Sequence, residues 1–83
     1  MNDDQYIAKI PKKDLIHGAY YKGRCRNANE ARWNGERQLF IHWRTKYGST
    51  FLEDICHPED EKRFDVFVVE ELLEKPTKEI PFR

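Results

Sequence analysis

From Tyr20 to Val69 the chain alternates apolar and polar residues in short runs broken by turn residues, a pattern of strands. Ala19 to Arg26 is the first run. Tyr21, Gly23 and Cys25 fall on one face, and Tyr20, Lys22, Arg24 and Arg26 on the other, because successive strand side chains point to opposite sides. Asn27-Ala28-Asn29 reads as a turn and Glu30 to Trp33 as a short second strand. Asn34-Gly35 is a hairpin signal, since both residues tolerate positive φ, although the polar Glu36-Arg37-Gln38 behind it also suits a longer loop. Leu39 to Lys46 is the central strand, with Leu39, Ile41 and Trp43 on one face and Phe40, His42 and Arg44 on the other. An aromatic on each face predicts burial on both sides near Phe40, or a sheet that curls. Tyr47-Gly48-Ser49 turns the chain, and Thr50 to Ile55 returns beside it. His57 to Arg63 is a polar loop in which Pro58 suits the start of one helical turn. Phe64 to Val69 is the last strong strand, and Glu70 to Lys75 reads as one short helical turn before Pro76.

About five strands at these intervals predict a mainly β fold. The first choice is a small five-stranded antiparallel barrel, SH3-like or Tudor-like, or a strongly curved sheet, with at most a short helical turn. An OB-type barrel is the second choice, and a plain curved sheet with one helix the third. Residues 1–16 form an N-terminal arm, with Tyr6 to Ile10 as a short strand or loose segment. Residues 17–75 form the domain, and residues 76–83 a flexible C-terminal tail.

Length limits the core. A domain of 83 residues buries only about 60% of the surface its unfolded chain exposes. Its eleven aromatics compensate, each able to bury roughly 150–250 Å². Charged residues make up 36% of the chain, and mean hydropathy is −0.93. No apolar run reaches the ~18 residues of a membrane span. The acidic start Met1-Asn2-Asp3-Asp4-Gln5 has no apolar segment behind it and does not read as a signal peptide. A cytoplasmic chain follows, in which Cys25 and Cys56 are free thiols. The net charge of zero hides a polarity: residues 1–50 carry ten Lys/Arg and five Asp/Glu, and residues 51–83 carry five and ten. Strands that fold back on one another are expected to mix these signs.

Candidate chemistry is thin. His17, Cys25, His42, Cys56 and His57 are metal-ligand types, but structural zinc sites pair ligands a few residues apart. Here only Cys56-His57 is close, and adjacent strand residues point apart. Cys56, His57 and Asp54 supply the residue types of a nucleophilic triad without its geometry. Glu53-Asp54 and Glu59-Asp60-Glu61 are carboxylate clusters, yet acid–base work needs one carboxyl held out of water. No metal, cofactor or enzymatic activity is expected. Lys22, Arg24, Arg26, Arg32, Arg37, Arg44 and Lys46 interleave with Tyr20, Trp33, Phe40 and Trp43, the composition with which small barrels stack single-stranded bases. A pI near 6.8 is low for a nucleic-acid domain, and a barrel of this size needs most of its aromatics inside. Trp43 and Phe67 read as core, Tyr20 and Trp33 less so.

The segment His17-Gly18-Ala19-Tyr20-Tyr21-Lys22-Gly23-Arg24-Cys25-Arg26-Asn27-Ala28, with Ala31-Arg32-Trp33 and Phe40-Ile41-His42-Trp43-Arg44, resembles short uncharacterised proteins of bacteria, prophages and phages. So does His57-Pro58-Glu59-Asp60 followed by Phe64-Asp65-Val66-Phe67. The resemblance covers residues 17–69. It implies a bacterial or phage source and favours a protein that binds and modulates a host factor; it assigns no functional residue.

The function expected is a non-enzymatic binding module with a protein partner, the chain being a monomer or weak homo-oligomer. Tyr20, Lys22, Arg24, Arg26, Arg32, Trp33 and Arg44 form the expected contact set, because they join aromatic area to guanidinium donors. Single-stranded DNA or RNA binding through the same residues is the first alternative. Self-association by pairing of oppositely charged halves is the second.

Overall fold

The computed structural model describes residues 8–26, 28–60 and 66–82. A 3₁₀ turn over Lys12–Asp14 leads into five strands: β1 Tyr20–Arg24, β2 Glu30–Asn34, β3 Leu39–Lys46, β4 Ser49–Ile55 and β5 Val68–Leu73. All pair antiparallel in one sheet, in the order β4-β3-β2-β1-β5. The fold is therefore mainly β, with almost no helix, as the periodicity predicts. The sheet is not closed. Its two edge strands approach where the chain leaves β4 and enters β5: Phe67 N–H donates to the Cys56 carbonyl at 3.0 Å, beside a parallel bridge between Cys56 and Val66.

The turns show how local chemistry set the register. Tyr47 (φ 53°) and Gly48 (φ 78°) are the two linking residues between the paired Lys46 and Ser49, and two positive φ angles match the twist of the flanking strands. The β2–β3 connection is instead four residues, 35–38. Asn34 ends β2 rather than turning the chain. Its Oδ1 accepts from the N–H groups of Glu36 and Arg37 at 3.0 and 3.1 Å, a side-chain mimic of a backbone turn. Arg37 then forks onto Asp54 of β4 at 3.1 and 2.6 Å. Hydrogen bonding to that carboxylate, and secondarily its charge, raise the guanidinium's pKa above its ordinary value.

The last strand lies later than its apolar run indicates. Phe64 and Asp65 fall outside the described residues, and Val66 and Phe67 precede β5. Glu70 to Leu73, expected as a helical turn, is strand. An isolated helix of six residues is unstable in water, whereas pairing with β1 satisfies the backbone: Glu71 faces Lys22, Leu72 faces Tyr21 and Leu73 faces Tyr20.

Tyr21, Ala31, Trp33, Phe40, Ile55, Phe67 and Val69 form the core, against which Ile10, Leu15 and Cys25 pack. Phe40 is its centre, with ring centroids 4.8 Å from Trp33, 4.9 Å from Phe67 and 6.3 Å from Tyr21. Two histidines are also buried. His57 Nδ1 accepts from Glu59 N–H at 3.0 Å, so its ring hydrogen sits on Nε2 and points at the Ile10 carbonyl, 3.1 Å away. His42 Nε2 lies 3.1 Å from Glu53 Oε1, whose Oε2 accepts from Arg44 at 2.9 Å. Glu53→Ala removes the acceptor of a buried ring and of a guanidinium together. A loss of about 1.5–3 kcal/mol is expected, for hydrogen bonds to a charged group. Urea unfolding measures it, and an unchanged midpoint would show that Glu53 is not holding the pair.

Candidate functional site

Strand pairing lines up Leu73, Tyr20, Arg32, Ile41 and Asp54 as one row across all five strands. This row lies on the face opposite the core, because each member neighbours a core-facing residue along its strand. Lys22 and Trp43 share that outer face by the same parity. Ile41 is fully buried there, which an outer residue can be only if something covers it.

The cover is the segment 77–82, where a flexible tail was expected. Thr77 N–H donates to Glu30 Oε1 at 2.8 Å, and its hydroxyl donates to Oε2. Trp43 Nε1 donates to the Glu79 carbonyl at 2.7 Å. Arg32 Nη1 donates to the Ile80 carbonyl at 2.8 Å, while its Nε donates to the Gly18 carbonyl at 2.9 Å. Ile80 N–H donates to the Tyr20 hydroxyl at 2.9 Å. Ile80 itself is only 3% exposed. Cations lie over rings on both sides: Lys78 is 4.4 Å from the Trp43 centroid, and Arg32 is 4.1 Å from that of Phe82 and 5.2 Å from that of Tyr20. Phe82 stacks on His17 at 4.9 Å.

These bonds differ from ordinary core packing in their target. Tyr20, Arg32 and Trp43 address main-chain atoms of residues 79 and 80, so they recognise an extended backbone with one apolar side chain inserted beneath it. The chemistry available is that of peptide recognition, with guanidinium and indole as fixed donors and aromatic faces beside them.

The seven residues expected to form one contact surface are divided by the fold. Tyr20 and Arg32 are brought together under residues 80 and 82. Lys22 and Arg24 remain exposed on β1, but Lys22 lies 3.9 Å from Glu71 and Arg24 3.1 Å from Glu70. Arg26 is exposed just beyond β1. Trp33 is in the core, 2% exposed, because Ala31 and Trp33 are the inward-facing residues of β2. Arg44 lies on the core side of β3, ion-paired with Glu53. Trp43, expected inside, is half-buried under residues 78–79 and belongs to the site. The signal for it was its alternation with Phe40, which put one of the two aromatics outside the main core without saying what would cover it.

The charges mix. Among the described residues, Lys12–Asp60, Lys22–Glu71, Arg24–Glu70, Arg37–Asp54 and Arg44–Glu53 each join a residue of the basic half to one of the acidic half. No group of three or more His, Cys, Asp or Glu able to hold a metal ion occurs among the described residues. Neither Cys25 nor Cys56 is in a disulfide. No helix among the described residues is long and apolar enough to cross a membrane. The chain matches no protein-family model, no curated protein and no solved structure.

Proposed function

We propose that the chain is a non-enzymatic protein-interaction module whose outer sheet face reads an extended peptide. The carrying observation is that Tyr20, Arg32 and Trp43, from three adjacent strands, all bond to main-chain atoms of residues 79 and 80. Main-chain recognition with one apolar anchor takes any peptide of similar shape, and the chain's own Glu79-Ile80-Pro81-Phe82 is the resident example. The fold in this reading is a partly open SH3-like barrel: the strand order, the register shift of β1 between Lys22 and Gly23, and the approach of the two edges at Cys56 and Val66 support it. Single-stranded nucleic acid is the weaker reading, because Lys22 and Arg24 already face Glu71 and Glu70, and phosphates would have to displace those carboxylates.

The test is exchange of the resident segment. A charge at position 80 is costly to bury, so Ile80→Glu releases the segment in an otherwise complete chain. Tethering gives the resident segment an effective concentration of order millimolar, so the intact chain resists competition. A labelled peptide of sequence Thr-Lys-Glu-Ile-Pro-Phe-Arg is expected to bind the Ile80→Glu chain at least tenfold more tightly than the intact chain. Adding Arg32→Gln should abolish that gain. A folded Ile80→Glu chain that ignores the peptide, or that binds an oligonucleotide with steep salt dependence instead, would remove the reading.

A further inference from the structure

The segment on the outer face is tied to its own sheet by a short connection. β5 ends at Leu73, and only Glu74, Lys75 and Pro76 separate it from Thr77, which is bonded to Glu30 of β2. β5 and β2 lie on either side of β1. Strands are about 4.8 Å apart, so the crossing is about 10 Å in the plane of the sheet, before the climb onto its face. Four residue steps reach about 14 Å at full extension, so the closed connection has little slack. Short connections of this kind favour exchange of the segment they carry between two copies of a chain. Pro76 disfavours a helical conformation at Lys75, which biases an opened connection towards an extended path. The segment is also shallowly seated: within residues 77–82 only Ile80 is buried.

Resting on the outer-face reading, we propose that a second copy of this chain is a partner for that face, residues 77–82 of each copy occupying the Tyr20, Arg32 and Trp43 face of the other. The chain's own segment already fits. Trp43 donating to the Glu79 carbonyl, Arg32 donating to the Ile80 carbonyl and Ile80 N–H donating to the Tyr20 hydroxyl would each cross between copies unchanged. No new interface has to be built, which makes exchange of an identical element a low-cost route to a dimer, and its reciprocity closes the pair about a two-fold axis. The formal net charge is zero, so two copies meet without long-range repulsion. Tethering sets the concentration at which exchange occurs. The resident segment has an effective concentration of order millimolar. The closed monomer therefore dominates in micromolar solution, and the exchanged dimer grows as the protein itself approaches millimolar, or where the connection cannot close.

Shortening the connection tests this. Deleting Glu74 and Lys75 leaves Pro76 alone between Leu73 and Thr77, too short to cross two strands. In micromolar solution that chain is expected to sediment at twice the 10.0 kDa of one copy, and adding Ile80→Glu is expected to return it to one copy. The intact chain is expected to be monomeric in micromolar solution and to form a dimer, lost with Ile80→Glu, as it approaches millimolar. That series decides the matter where the shortened chain fails to fold, and an intact chain that stays monomeric into the millimolar range overturns the exchange. So does a folded shortened chain that stays at one copy. If that monomer binds the labelled Thr-Lys-Glu-Ile-Pro-Phe-Arg peptide, the outer-face reading stands without the exchange; if it ignores the peptide, both fall. A dimer that survives Ile80→Glu also overturns the exchange, because its copies are then joined elsewhere.

Discussion

Phe40→Ala is expected to cost a large share of the chain's stability. The ring is fully buried and lies against Trp33, Phe67 and Tyr21, with His57 stacked 6.2 Å away. Removing a buried phenyl ring costs about 3–5 kcal/mol, from lost transfer energy and the cavity left behind. Domains hold about 0.05–0.15 kcal/mol of stability per residue, so a chain of this length has roughly 4–12 kcal/mol in all. The variant therefore loses a quarter or more of its stability, and nearly all of it near the lower bound. Phe40→Leu keeps most of the volume and should cost far less. Urea unfolding of the two variants measures both, and a Phe40→Ala midpoint within error of the parent would show that the four aromatic rings are not a cooperative core.

Gly23→Ala is expected to cost nearly as much for a smaller change in atoms. A Cβ at this position would stand 2.5 Å from the Val68 carbonyl oxygen and 2.8 Å from the Phe67 ring. The carbonyl is main chain and cannot swing aside as a flexible side chain does. It sits where β1 and β5 shift register, between Lys22 and Gly23, so relief of the clash means moving β5. Overpacking of this kind costs about 1–3 kcal/mol, and backbone displacement places this site at the upper end. Because only three residues separate β5 from residues 77–82, the hold of that segment on Tyr20, Arg32 and Trp43 should loosen as well. Hydrogen exchange in β5 and at the Trp43 indole is expected to accelerate together. A stability change under about 0.5 kcal/mol, the range of ordinary surface substitutions, would show that the strand pair yields at no cost.

The site and the core are linked through one strand parity. Trp33 faces inward and Arg32 outward on β2, while Phe40 faces inward and Ile41 outward on β3. The outer row would be bare if the chain stopped at β5. Residues 77–82 cover it, and they do so through main-chain bonds. Such bonds fix the path of the segment with little demand on its sequence beyond Ile80. That property is the one on which the proposed exchange of the segment for another peptide rests.

Sequence alone determined what depends on near neighbours. Alternation located β1 to β4 within a residue or two, put Tyr21 and Gly23 opposite Tyr20, Lys22 and Arg24, and marked the turn at Tyr47 and Gly48. It also showed that β3 carries an aromatic on each face. Tertiary structure decided what depends on partners distant in the chain. Glu70 to Leu73 became strand because β1 offered it hydrogen bonds, a choice its own composition opposed. Trp33 entered the core and Trp43 stayed outside it because register, which a one-residue slip would reverse, was set by pairing across the sheet. The expected contact residues were scattered for the same reason, and Lys22 and Arg24 were matched to carboxylates more than 40 residues away, Glu71 and Glu70. The C-terminal segment was the least legible of all. Nothing in Thr77 to Phe82 announces a place to bind, because the face that holds it exists only once three strands have aligned Tyr20, Arg32 and Trp43 beneath it.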